Sequence, residues 1–249
     1  MERISIKAFR ASEDPIRANR FLGEHQRVLQ DAGVSSALPS DDSWTYEDEC
    51  AVITAEHPTL GMVGGCKIKL VKSGRQLPFE KHLLPLETDL RAKANDALLE
   101  GGSELCGLWV AQRYAGHGLP WYLTAAATSI ASQLSVRSIV CLAAEYSMDY
   151  AIRNGFVKMT EVGMAGQFIF PIPSIRSYAL INREPISLQH ARSVERQRLI
   201  SLRLNPNQVR LEPIKGQLVE VAYSLKLDQK VIPISQVLND EARVARRSA

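Results

Sequence analysis

The chain has few of the features that mark specialised classes of protein. Its cysteines stand singly in apolar stretches, with no Cys-x-x-Cys pair and no zinc-like spacing, so we expect reduced thiols and no metal site. No apolar run approaches the roughly 18 residues of a membrane-spanning helix, and there is no internal repeat or low-complexity segment. A net charge of +3 is too small to favour a nucleic-acid partner. The cysteines are Cys50, Cys66, Cys106 and Cys141.

What is present is the composition of an ordinary globular protein. Of the 249 residues, 45% are hydrophobic and 23% are charged, which suits one large domain or a domain with an appendage. Residues 1–7 alternate like a strand and carry no apolar signal core. We therefore expect a cytoplasmic protein.

Periodicity predicts an alternation of strands and helices along most of the chain. Helices are expected at 15–32, 86–99, 119–134, 145–154 and 187–204, the last of them rich in arginine and favoured as a solvated face. Strands are expected at 4–8, 50–55, 62–71, 105–110, 139–144, 156–162, 178–182, 209–211 and 218–225. The tail 239–249 is charged and expected to fray.

The most informative segment is 104–118, where a strand apolar on both faces runs into a glycine turn. A helix follows from Leu119, and the N–H groups of its first turn have no partner within the helix, so this arrangement predicts an anion site. Gly116 and Gly118 allow close approach of a phosphate to the backbone, and Arg113 adds a positive charge. A tight turn and an ordinary surface arginine are the alternatives.

The spacing Arg-x-x-Gly-x-Gly at 113–118 resembles the pyrophosphate-binding motif of the GNAT acyltransferase superfamily. The step Asn154-Gly155-Phe156 is similar to the Gly-Phe after the last helix of that acyl-CoA site. The order of elements up to about residue 183 fits the same fold. Within the superfamily the layout resembles the autoinducer-synthase and N-acyl amino acid synthase branch, on account of residues 64–70, the long connection 72–102 and Glu104.

The resemblance implies an α/β fold with a mixed, mostly antiparallel twisted sheet, a splayed parallel strand pair and flanking helices. It implies an acyltransferase domain over 1–185, with 186–249 as a C-terminal helical and hairpin extension. Whether that extension dimerises, covers the acyl pocket or forms a subdomain is left open.

The resemblance also implies which residues hold the donor, acetyl-CoA or another acyl-CoA, with no metal. The pantetheine arm would lie between the strands at 105–110 and 139–144, bonded to the backbone N–H groups of Leu108, Trp109 and Val110. The pyrophosphate would rest on the N–H groups of Tyr114, Ala115, Gly116, His117, Gly118 and Leu119. His117 departs from the motif, which usually carries an aliphatic residue there.

For catalysis the resemblance implies Glu104 as the general base, with a solvated strand end as its alternative. The tyrosine that protonates the departing thiol in this family is replaced by Ala151, so Tyr150 is the first candidate for that role and Tyr146 the second. The acidic residues Glu47, Asp48 and Glu49 either receive a cationic amine or solvate a loop.

Three functions follow from this resemblance. The first is transfer of an acetyl or other acyl group from acyl-CoA to a small-molecule amine or amino acid. The second is synthesis of a longer-chain N-acyl amino acid or signal molecule, with acyl-CoA or acyl carrier protein as donor. The third is a CoA-binding regulator without catalysis. Apolar residues at 77–86 and 194–202 either wall an acyl tunnel or close the core.

Overall fold

The computed structural model describes residues 2–34, 42–72, 76–94 and 101–227. The strands are β1 Arg3–Arg10, β2 Cys50–His57, β3 Gly61–Leu70, β4 Gly102–Val110, β5 Ser138–Ala144, β6 Val157–Lys158, β7 Gln167–Ile169, β8 Arg176–Asn182, β9 Asn207–Ile214 and β10 Gln217–Ser224. The helices are α1 Pro15–Asp31, α2 Pro78–Leu83, α3 Leu90–Lys93, α4 Leu119–Ile130, α5 Met148–Arg153 and α6 Ser193–Leu204.

All the described strands join one mixed sheet in the order β6-β8-β5-β4-β3-β2-β1-β10-β9, with β7 paired to β8. Two pairs are parallel, β4 with β5 and β1 with β10, and the others are antiparallel. The predicted mixed, mostly antiparallel sheet with a parallel pair and flanking helices is therefore confirmed. Because β10 pairs with β1, the described part of the extension continues the same sheet; the boundary at 185 stays a prediction.

Helices cover both faces of the sheet. On one face, α4 packs on alternate residues of β1 to β5, and α6 packs on α4 through Leu199 and Leu202. On the other face, Phe21 of α1 contacts the cluster around Trp44 and Trp109, while α2 and α3 cover β5 and β8. The core thus has two layers, divided by the sheet.

Local sequence explains where α1 begins. Asp14 accepts a hydrogen bond from the Arg17 backbone N–H at 3.0 Å, and Pro15 occupies the first helical position, where no N–H is needed. Other elements differ from expectation in extent. The helix predicted at 86–99 is present only as α3, with 95–100 outside the described residues, and β7 was not predicted.

The arginines of α6 do not form the solvated face that the sequence favours. Arg198 is bonded to the buried carboxylate of Glu212, and its guanidinium lies 4.9 Å from the Trp121 ring centroid. Arg196 and Arg203 donate to loop carbonyls between residues 185 and 191. These side chains therefore attach the extension to the rest of the protein.

Within the described ranges, no helix is long and apolar enough to cross a membrane.

Candidate active site

The central feature of the site is a gap in the sheet. β4 and β5 are paired only from Gly102–Ser138 to Glu104–Val140, yet both strands continue, to Val110 and to Ala144. Since no further pairing joins them, their carboxyl ends diverge, as the sequence resemblance implies. The gap exposes a backbone edge of β4 that has no strand partner.

The register shows which groups of β4 face the gap. The Ala111 N–H donates to the Val63 carbonyl on β3 at 2.8 Å, which makes Gly64 and Val110 a non-hydrogen-bonded pair. Successive residues of a strand point their N–H and C=O groups to opposite sides, so those of Val110 point away from β3, into the gap. Val110 is one of the three residues predicted to bind the pantetheine arm.

A β-bulge lies beside that edge. Gly65 pairs with Trp109 and Lys67 with Cys106, so β4 has one more residue than β3 between these pairs. Gly107 takes φ 62°, a left-handed conformation that glycine adopts without a side-chain penalty. The bulge therefore removes Gly107 and Leu108 from the regular ladder.

The glycine turn comes next and leads into α4. Gly116 has φ 70° and Gly118 has φ 90°, and α4 begins at Leu119. Among the described residues, the N–H groups of Gly116, Gly118 and Leu119 have no acceptor, whereas those of Tyr114, Ala115 and His117 already donate to backbone carbonyls. The first group of three is free to bind an anion, while Arg113 is exposed beside them.

The C-terminal hairpin of β9 and β10 contacts this glycine turn. The Lys215 N–H donates to the His117 carbonyl at 3.2 Å, and the Lys215 Nζ lies 4.2 Å from the Tyr114 ring centroid. The Tyr114 hydroxyl donates to Glu2 Oε1 at 2.6 Å, and burial together with this carboxylate raises the pKa of Tyr114 to about 12. The extension thus supports the turn, a contact that the sequence did not predict.

On the α1 face of the sheet, polar side chains surround the bulge. Lys67, nine-tenths buried, places its Nζ 3.7 Å from the Trp44 ring centroid, and no carboxylate of the described residues lies within ion-pair distance of it. Its neighbour Lys69 instead pairs with Glu47 at 3.2 Å. The imidazole of His25 lies against Gly107. Sequence patterns assigned no role to either residue: Lys67 lies within the segment 64–70 without a role of its own, and His25 belongs to no motif.

Glu104, the predicted base, lies on this face at the last β4–β5 pair. Its side chain is buried, and its Oε2 accepts the Phe79 N–H at 2.7 Å. Burial raises the pKa of Glu104 to about 8, although the Phe79 N–H and the charge of Lys67 act in the opposite direction. It is therefore not a solvated strand end, and at neutral pH its carboxyl is mostly protonated. Its role as base stays a prediction.

Replacing Glu104 by glutamine is expected to alter the pH dependence of stability. Between about pH 5 and about pH 8 the unfolded chain has lost this proton while the folded chain keeps it, so the free energy of unfolding falls as pH rises. Each pKa unit of difference corresponds to about 1.4 kcal/mol. Denaturant unfolding of both proteins across this range should give a shallower fall for Glu104→Gln, whose amide oxygen still accepts the Phe79 N–H. Equal slopes of the free energy of unfolding against pH in the two proteins would contradict the raised pKa of Glu104.

The candidates for the general acid lie on and before α5. Tyr150 is half-buried on the helix, and Tyr146, just before it, is 80% exposed. Within the described ranges neither hydroxyl forms a hydrogen bond, while Ala151 is buried in the core below α4. Tyr150 therefore stays a prediction.

The same fold occurs in solved structures. A CoA-dependent acyl-homoserine lactone synthase, BjaI, with SAM and isopentyl-CoA, is similar with a TM-score of 0.53 and 13% identity, over 79% of this chain and 89% of that chain. FeeM, an N-acyl amino acid synthase from uncultured soil microbes, has a TM-score of 0.52 and 11% identity, over 77% of this chain and 97% of that chain. No protein-family model and no curated protein matches the chain.

At such identities the likeness concerns the fold, not the activity. In this chain the parallel strands of the mixed sheet separate beyond Glu104 and Val140. The chain therefore shares its fold with an acyl-homoserine lactone synthase and an N-acyl amino acid synthase, as the sequence resemblance implies.

Proposed function

We propose that this protein is an N-acyltransferase that moves an acyl group from acyl-CoA to an amine. One observation carries the proposal. The pairing of β4 and β5 ends at Glu104 and Val140, a bulge follows on β4, and beyond the end of β4 a helix-start turn carries free N–H groups. This arrangement suits an extended thioester with a phosphate at one end, and the structural neighbours are named as an acyl-homoserine lactone synthase and an N-acyl amino acid synthase.

On the donor side, the free N–H groups of Gly116, Gly118 and Leu119 would bind the pyrophosphate, with Arg113 adding positive charge. The pantetheine arm would extend along β4, and the Val110 N–H, which points into the gap, would bond it or the thioester oxygen. As the amine attacks, negative charge grows on that oxygen, and a fixed N–H donor stabilises it. A C–N bond forms as the amine gives up a proton to a base, and the C–S bond breaks with its electron pair going to sulfur. Tyr150 is proposed to protonate the departing thiolate and to regain its proton from solvent.

Two structural features relate to the N-acyl amino acid synthase alternative, the first to its acceptor and the second to its acyl chain. Lys67 is a buried cation without a carboxylate partner among the described residues, and a buried charge is costly unless it is paired. An acceptor that brings its own carboxylate, such as an amino acid, would supply that partner.

The apolar residues expected to wall a tunnel divide between the two faces of the sheet. Leu77, Phe79 and Leu83 pack near β5, but Leu199 and Leu202 pack on the α4 side. Only the first group could contact an acyl chain near Glu104.

The test is a transfer assay with acetyl-, octanoyl- and palmitoyl-CoA against a mixture of amines and amino acids. Thiol release and product mass are the measurements. We expect release of CoA together with an amide product. Binding that tightens steadily with chain length would support the synthase-like alternative, since each buried methylene adds roughly 0.8 kcal/mol. CoA binding without transfer to any acceptor would support the regulator instead.

A further inference from the structure

His25 is a titratable side chain at the bulge to which no sequence motif assigns a role. It lies on α1, one turn after Phe21, and the two rings are 6.0 Å apart between centroids. Its Cε1 is 3.5 Å and its Nδ1 3.7 Å from the point where a Cβ on Gly107 would lie. The ring thus lies against the strand at the bulge residue, on the face opposite α4.

Both ring nitrogens are chemically available. Among the described residues the imidazole forms no hydrogen bond, and the side chain is half-buried. The groups that face it are the Phe21 ring from its own helix, the Gly107 backbone from β4 and the cation of Lys67 from β3. Burial, and secondarily the charge of Lys67, lowers the pKa of His25 to about 4. The imidazole is therefore in its neutral form at neutral pH, which a general base requires; its low pKa makes it a weak base, so its part in the reaction rests on its position beside the bulge.

We propose that His25 is the general base of the transfer reaction and takes the proton directly from the acceptor amine. This inference rests on the proposed function. Gly107, which His25 covers, lies three residues beyond the last β4–β5 pair, so an amine that approaches the thioester from the α1 face of the sheet would meet the imidazole. As its nitrogen bonds to the acyl carbon, one N–H proton moves to a ring nitrogen. The C–S electron pair leaves with sulfur, the thiolate takes its proton from Tyr150, and the imidazolium releases its proton to solvent, from which Tyr150 regains one.

Glu104 fits direct proton removal less well. Its carboxyl is buried and bonded to the Phe79 N–H, and it precedes the bulge by three residues on β4. The two candidates predict opposite effects on kcat for the His25 and Glu104 variants, so one set of variants distinguishes them.

The experiment compares His25→Gln, His25→Ala and Glu104→Gln with the wild-type enzyme, using its best acyl-CoA and acceptor. His82→Gln is the control, because His82 also has a lowered pKa but is exposed and lies on α2 against Phe170, away from the bulge. For both His25 variants we expect kcat to fall by about 100-fold or more, with acyl-CoA affinity unchanged. Added imidazole should restore part of the activity of His25→Ala, and His82→Gln should behave like the wild type.

Three results would overturn the proposal. The first is a His25→Gln enzyme with kcat within about twofold of wild type while Glu104→Gln is inactive. The second is loss of activity that imidazole does not rescue and that comes with weaker acyl-CoA binding, as a structural role predicts. The third needs no variant: in the wild-type protein, NMR signals of the His25 ring that do not respond to bound acyl-CoA would place it away from the thioester. A wild-type enzyme with no transfer to any amine would instead reject the proposed function itself.

Discussion

Replacing Gly116 by aspartate is expected to weaken acyl-CoA binding by at least about 100-fold while the fold stays intact. The carboxylate would stand among the free N–H groups of the turn and repel the pyrophosphate. The fold should tolerate the change, because nothing lies within 4 Å of the position of a Cβ at Gly116, and aspartate adopts the left-handed conformation more readily than most residues. Gly118 suits the test less well, since a Cβ there would lie 3.1 Å from the Pro213 carbonyl oxygen.

The chain contains a matched control for this variant. Gly33, just after α1, has φ 69°, close to that of Gly116, and nothing lies within 4 Å of its Cβ position either. Gly33→Asp therefore carries a similar backbone cost and the same added charge away from the proposed phosphate site. Calorimetry should show normal affinity for Gly33→Asp and lost affinity for Gly116→Asp. Equal affinities in the two variants would reject the turn as the pyrophosphate site.

Replacing Lys67 by methionine is expected to remove a preference for acceptors that carry a carboxylate. The kcat/KM for amino acids should fall by about 10- to 100-fold, as expected for a lost charge-assisted hydrogen bond, while the matching decarboxylated amines are little affected. Stability should hold or rise, because a side chain of similar length replaces a buried charge with no carboxylate partner in the described part of the chain.

Two further variants control for this effect. Lys67→Arg keeps the charge and should retain much of the preference. Lys158→Met removes a lysine whose Nζ likewise lies over an aromatic ring, 3.9 Å from the Tyr178 centroid, but at the exposed edge strand β6. If the wild-type enzyme uses amino acids and their decarboxylated amines equally well, the proposal that the acceptor carries a carboxylate is wrong. The proposed acyl transfer would still stand.

Local patterns predicted most of the fold. The alternation of Ile4 and Ile6 indicated β1, the unbroken apolar run 139–144 indicated β5, and the glycine spacing at 116 and 118 indicated the turn before α4. These predictions succeeded because each depends on neighbours only a few residues away along the chain. The hairpin of β9 and β10 was found for the same reason, from its Lys215-Gly216 turn.

The acceptor side could not be predicted in this way. In the sequence, Lys67 is one polar residue in a strand and His25 is one polar residue in a helix. The spacing of neither residue from its neighbours indicates a site. Their proximity to Gly107 depends on the register between β3 and β4, on the bulge, and on α1 packing across them through Phe21. Likewise, pairing between β10 and β1, separated by more than 200 residues along the chain, places Lys215 behind the glycine turn.

The sequence by itself therefore determined the order of the elements and the glycine turn before α4, since short-range periodicity and glycine conformation encode them, and the resemblance implied the mixed sheet. Only the tertiary structure decided which charges are buried, which N–H groups stay free and which side chains meet at the bulge. The physical reason is that burial and pairing are properties of residues brought together across the sheet. One strand residue can be a buried cation with no carboxylate partner in the described part of the chain, and another a buried carboxyl with a raised pKa, as Lys67 and Glu104 are, without any difference in local pattern.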